Sequence, residues 1–207
     1  NIRLLPGALG DAVRTGYLTN PDRSLDVPLP GPVDPFSYGS AIFFRFLDER
    51  YGDGKVRALW ERSENGAFGV ADPVWFEQLD PMLAAEVGVS FAEAFVEFAR
   101  YNLFTGPYAD PTESYAEGAD YPLLKMDEEL APFFDDSPRF FYASTQYYAL
   151  APEGRAEMTA AAVSPTGAAA DTEGLVMLLA VRGASSYDSV VQVADIGAGS
   201  ERVDTSG

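Results

Sequence analysis

Residues 34–54, Asp-Pro-Phe-Ser-Tyr-Gly-Ser-Ala-Ile-Phe-Phe-Arg-Phe-Leu-Asp-Glu-Arg-Tyr-Gly-Asp-Gly, constrain the fold more than any other stretch. They spell one helix with a marked start and stop. Asp34 is placed to cap the first turn, and Pro35 suits the first helical position, where the N–H it lacks would have no partner within the helix. Phe36, Ala41, Phe44, Leu47 and Tyr51 recur at three- to five-residue spacing, which predicts one buried face. Gly52 supplies the left-handed stop. Phe43 and Phe46 widen the apolar surface, so this helix belongs inside a helical layer.

Further helices are expected downstream. Lys55–Ser63 follows a Gly-Asp-Gly corner, with Val56, Leu59 and Trp60 facing the first helix. A stretch from Asp72-Pro73 to Val87 carries Trp75, Phe76, Leu79, Met82 and Leu83, and Pro81 is expected to divide it in two. Ser90-Phe-Ala-Glu93 has capping-box spacing, and Phe91, Phe95, Phe98 and Leu103 continue the apolar stripe. Upstream, residues 6–17 read as a short helix weakened by glycine. Pro28, Pro30 and Pro32 read as a stiff extended connector without the basic flanks of a recognition motif.

At Thr105-Gly106-Pro107 the composition turns aromatic, acidic and Pro-rich without a sustained period. Its apolar residues Leu123, Leu124, Met126, Leu130, Phe133 and Phe134 predict an ordered linker that packs. From Arg139 the alternation becomes two-residue, and four strands are expected at 140–150, 155–163, 175–182 and 187–196. The expected fold class is therefore α+β, an N-terminal helical layer followed by a small antiparallel β-sheet or β-sandwich. Its domains are 1–106 helical, 107–138 linker and 139–207 β.

Composition narrows the function classes. With 14 Lys plus Arg against 32 Asp plus Glu, the formal charge is -18, and nucleic acid and anionic membrane surfaces would be repelled. Cysteine and histidine are both absent, which removes thiolate metal sites, the usual zinc ligand and the base of a Ser-His-Asp triad. No apolar run reaches the roughly 18 residues that span a bilayer. The chain opens on Asn1-Ile-Arg-Leu-Leu-Pro, without Met or a signal segment, and reads as a processed product or a piece of something longer.

Several groups carry weaker chemical signals. The carboxylate pairs Asp48/Glu49, Asp127/Glu128/Glu129 and Asp135/Asp136 suit a solvated surface, and spacing alone does not single out a catalytic pair. Asp110-Pro-Thr-Glu113 and Glu117-Gly-Ala-Asp120 offer oxygen ligands for calcium but lack the EF-hand pattern. Tyr142, Tyr147 and Tyr148 fit either cross-strand packing or a sugar-stacking platform.

Six runs carry a family resemblance: Tyr17–Leu25, Ser37–Gly52, Leu59-Trp-Glu61, Ser90–Phe95, Phe98–Asn102 and Thr105-Gly106. Spread over residues 17–106, about half the chain, they resemble the region downstream of the zinc motif in secreted gluzincin-type metallopeptidases. In that family HExxH supplies two ligands and the general base, a later Glu supplies the third ligand, and a Tyr-x-x-Gly helix follows. Here HExxH is absent, and no Glu present is assignable as third ligand. The resemblance thus implies no metal ligand in this chain, zinc in the full-length parent, and a missing N-terminal segment that carries the histidines. Counting back from Gly39 puts Phe36 where the family has tyrosine, while Tyr38 adjoins the glycine. Tyr38 is therefore the candidate catalytic residue, a hydroxyl donor to the oxyanion.

The implied function is the C-terminal portion of an exported zinc metallopeptidase, secreted or at the cell surface. It would form the cleft wall and an accessory β domain, and meet peptide or protein substrate through the parent enzyme. The alternatives are a non-catalytic extracellular module that binds carbohydrate or protein, and an acidic structural domain.

Overall fold

The computed structural model describes residues 16–26, 34–130, 141–150, 157–161, 176–183, 186–193 and 200–204. The expected helix over 6–17, the proline connector and Asp135/Asp136 lie outside the described residues, Gly16 and Tyr17 excepted. Two compact units emerge. The first holds the described residues up to Lys125 together with 141–145, and the second holds 126–130 and those from Gln146 onward. The expected linker is thus shared: 107–125 packs with the helices, and 126–130 belongs with the strands.

The first unit contains five α-helices among its described residues: α1 (Pro35–Gly39), α2 (Ala41–Tyr51), α3 (Lys55–Arg62), α4 (Trp75–Glu86) and α5 (Phe91–Leu103). The single helix expected over 34–52 is broken at Ser40, whose N–H closes the first helix onto the Phe36 and Tyr38 carbonyls. This break resets the buried face. Ile42, Phe43, Phe46 and Leu47 are buried in α2, whereas Phe44 and Tyr51 are only half-buried. Pro81 does not divide α4, which runs unbroken through it. Leu79, Met82 and Leu83 are fully buried on either side of the proline, so packing holds the helix despite the missing backbone donor. In α3, Leu59 is the buried residue and Trp60 faces solvent.

Helix starts are satisfied partly by carboxylates from the preceding helix. Gly54, which begins α3, has no capping side chain; Asp48 of α2 instead accepts the Lys55 and Val56 N–H groups at 3.0 and 3.3 Å. Asp80 of α4 likewise accepts the Phe91 N–H at 2.7 Å. The expected capping box at Ser90 and Glu93 is formed in full. Each contact places an anion where unpaired N–H groups and the positive end of the helix dipole lie.

The core of this unit is aromatic. Phe98 meets the rings of Tyr17, Phe43, Phe46 and Phe95 with centroids 5.1–5.8 Å apart. Phe46 then reaches Tyr101, Tyr101 reaches Tyr115, and Tyr115 reaches Tyr121. Tyr115 also donates to the buried Asn102 side chain at 2.9 Å.

The β expectation needs correction. The second unit contains β1 (Asp127–Leu130), β2 (Tyr148–Leu150), β3 (Glu157–Ala161), β4 (Met177–Arg182), β5 (Tyr187–Val193) and β6 (Ser200–Asp204). Among the described residues these pair only two by two, as β1 with β2, β3 with β6 and β4 with β5. Among the described residues no third strand joins any pair, so these residues form neither an antiparallel sheet domain nor a β-sandwich, and the described fold is mostly helical. The first pair is parallel, not antiparallel.

The first expected strand is also shorter than its alternation implied. Residues 141–145 instead bond to 21–25: Leu25 donates to the Ala143 carbonyl at 3.1 Å, Thr145 to that of Pro21 at 2.9 Å, and Ser24 Oγ to that of Tyr142. Ala143 takes a positive φ of 50° within this turn, a conformation incompatible with a strand.

Candidate functional site

The corner at α1 is built from both ends. At its start, Asp34 Oδ1 accepts the Ser37 N–H and hydroxyl, each at 3.0 Å. Its other oxygen receives Arg23 Nη1 at 2.9 Å. The Arg23 guanidinium also lies over the Phe36 ring, 4.1 Å from its centroid. At the far end, Gly39 presses against the 16–17 backbone so closely that a Cβ there would lie 2.4 Å from the Tyr17 nitrogen and 2.6 Å from Gly16 Cα. Only glycine fits that approach.

Between these fixed ends, the two residues that compete for the Tyr-x-x-Gly position separate. Phe36 is buried against Tyr17, with ring centroids 5.8 Å apart. Tyr38 is 42% exposed, so its phenol is accessible.

The Asp34 carboxyl is held below its ordinary value of 3.8, first by the Ser37 N–H and then by Arg23, with desolvation opposing. A carboxyl depressed in the folded state stabilises the fold while ionised in both states, and loses that contribution as pH falls from its unfolded value through the lowered folded one. Asp34→Asn is therefore expected to be less stable than wild type at neutral pH, with the gap closing as pH drops below 3.8. Urea midpoints of both proteins from pH 7 to 3 check this; a gap independent of pH would refute it.

The other sequence candidates do not converge. Asp48 caps α3, whereas its neighbour Glu49 pairs with Arg45 and accepts the Ala116 N–H. In the proposed calcium loops, Asp110 is turned back onto Thr112 and Glu113 pairs with Arg100. Tyr142 lies in the 141–145 turn and touches Phe76 and Phe91 at ring distances of 5.7 and 6.1 Å. Tyr147 and Tyr148 belong to the second unit, and the Tyr148 hydroxyl bonds Gln146.

Sequence reasoning gave no role to Arg23, which sits within the Tyr17–Leu25 run. It also missed a polar cleft of about 150 Å³ lined by Arg50, Glu97, Arg100, Tyr101, Thr112 and Glu113. Glu97 bridges both arginines there, at 3.2 and 3.5 Å, so the charges already neutralise one another. The Glu97–Arg100 spacing of three was its only sequence signal.

Among the described residues, no group of three or more His, Cys, Asp or Glu is arranged to hold a metal ion. The described residues thus do not fit a zinc centre. Also among the described residues, no helix is long and apolar enough to cross a membrane. No protein-family model matches this chain, and neither does any curated protein or solved structure.

Proposed function

We propose that this chain is the distal part of an exported zinc metallopeptidase, secreted or at the cell surface, in which it forms one wall of the substrate cleft. The observation that carries the reading is the contrast at α1, where Phe36 is buried and Tyr38 is exposed. A phenol on a segment pinned at both ends is suited to donate a hydrogen bond to the carbonyl oxygen of a scissile peptide as negative charge builds on it. Such a donor acts only if its position is set before the reaction. The zinc and its histidine ligands belong, in this reading, to residues of the parent outside this chain.

Two measurements test it. The gene upstream of Asn1 is expected to encode HExxH within about a hundred residues, two histidines one helical turn apart. In the full-length product, Tyr38→Phe is expected to lower kcat on casein roughly tenfold to a hundredfold with KM little changed. Unchanged turnover would remove Tyr38 from the site.

A further inference from the structure

Resting on that reading of Tyr38, we propose that Arg23 is its positioning residue, acting through α1 without touching substrate. A five-residue helix has little rigidity of its own, because one turn is mostly nucleation cost, so the direction of the phenol is set by what grips the helix from outside. Arg23 grips it twice. Its Nη1 holds the capping carboxylate of Asp34 at 2.9 Å, four residues before Tyr38. Its flat face covers Phe36, two residues before Tyr38.

The side that carries Arg23 is itself braced. Asn20 Nδ2 donates to the Gly16 carbonyl at 3.0 Å and to Thr19 Oγ1 at 2.9 Å, and the Arg23 N–H closes onto the Asn20 carbonyl at 3.2 Å. The same turn provides the Gly16–Tyr17 backbone against which Gly39 rests. Arg23 Nη2 is buried and finds no acceptor among the described residues. An unpaired buried donor is costly, so the guanidinium is placed by the carboxylate and the ring, not by the number of its hydrogen bonds. Lysine could keep the ion pair but has no planar face to lay on Phe36.

The test has two arms. In the 207-residue chain with ¹³C-labelled tyrosine rings, Arg23→Gln is expected to shift or split the Tyr38 ring resonances and leave those of Tyr147 and Tyr148 in place. In the full-length product, Arg23→Gln is expected to lower kcat about tenfold with KM within twofold, a cost typical of a misplaced group. It should cost nothing further in a Tyr38→Phe background. Arg23→Lys, the milder change, is used in both arms if Arg23→Gln does not fold. Unmoved Tyr38 resonances, or an Arg23 effect that persists at full size without the phenol, overturn the proposal. Full turnover in Tyr38→Phe alone marks a different failure, that of the donor role itself, and the positioning role falls with it.

Discussion

Phe98→Ala is expected to destabilise the helical unit by about 3–5 kcal/mol, the largest effect of any single truncation considered. Phe98 is fully buried, and its four ring neighbours come from three separate places: Tyr17 from the N-terminal turn, Phe43 and Phe46 from α2, and Phe95 from its own helix. Rings anchored on different elements do not collapse together into the space left by a phenyl group, so the cavity term adds to the lost transfer energy. Both tryptophans, Trp60 and Trp75, lie in this unit. Urea unfolding followed by tryptophan fluorescence therefore reports on it directly. A loss below about 1 kcal/mol would mean that the cluster is not the core it looks like.

Gly39→Ala should follow at about 3 kcal/mol, the upper part of the overpacking range. The added Cβ would meet backbone atoms of Gly16 and Tyr17 at 2.4–2.7 Å, and backbone yields less readily than the end of a side chain. Either α1, which carries Tyr38, or the 16–17 turn must move. Thermal unfolding of this unit is expected to fall by roughly 9–18 °C, between the usual conversions for domains of about 60–100 and about 150–250 residues. A wild-type melting curve would show that the contact is slack.

What was legible in the sequence was mostly local chemistry. Ser90 and Glu93 announced a capping box because its spacing is set by the helix itself, and the box is there. Asp34 and Pro35 marked a helix start correctly for the same reason. The break at Ser40 was invisible: it arises where Gly39 meets Gly16 and Tyr17, more than twenty positions away in the chain. Pro81 misled in the opposite sense, because Leu79, Met82 and Leu83 anchor α4 on both sides of a residue that ordinarily ends helices.

The strands expected at 155–163, 175–182 and 187–196 are present in part, but the sheet or sandwich they were to build is not, for a different reason. Alternation marks which residues can extend, but says nothing of how many partners a strand finds. In the proposed site, Tyr38 was singled out through its neighbouring glycine. Arg23 was not, because its two contacts lie 11 and 13 positions ahead and no periodic rule connects them.

The reach of Asp48 across the Gly52–Gly54 corner bears on any attempt to dissect the polypeptide. The carboxylate that tops α3 resides on the element before it, so a shortened version that starts at Lys55 would expose a frayed opening turn with nothing nearby to close it. Workable excision points must keep residues 48–56 on the same piece.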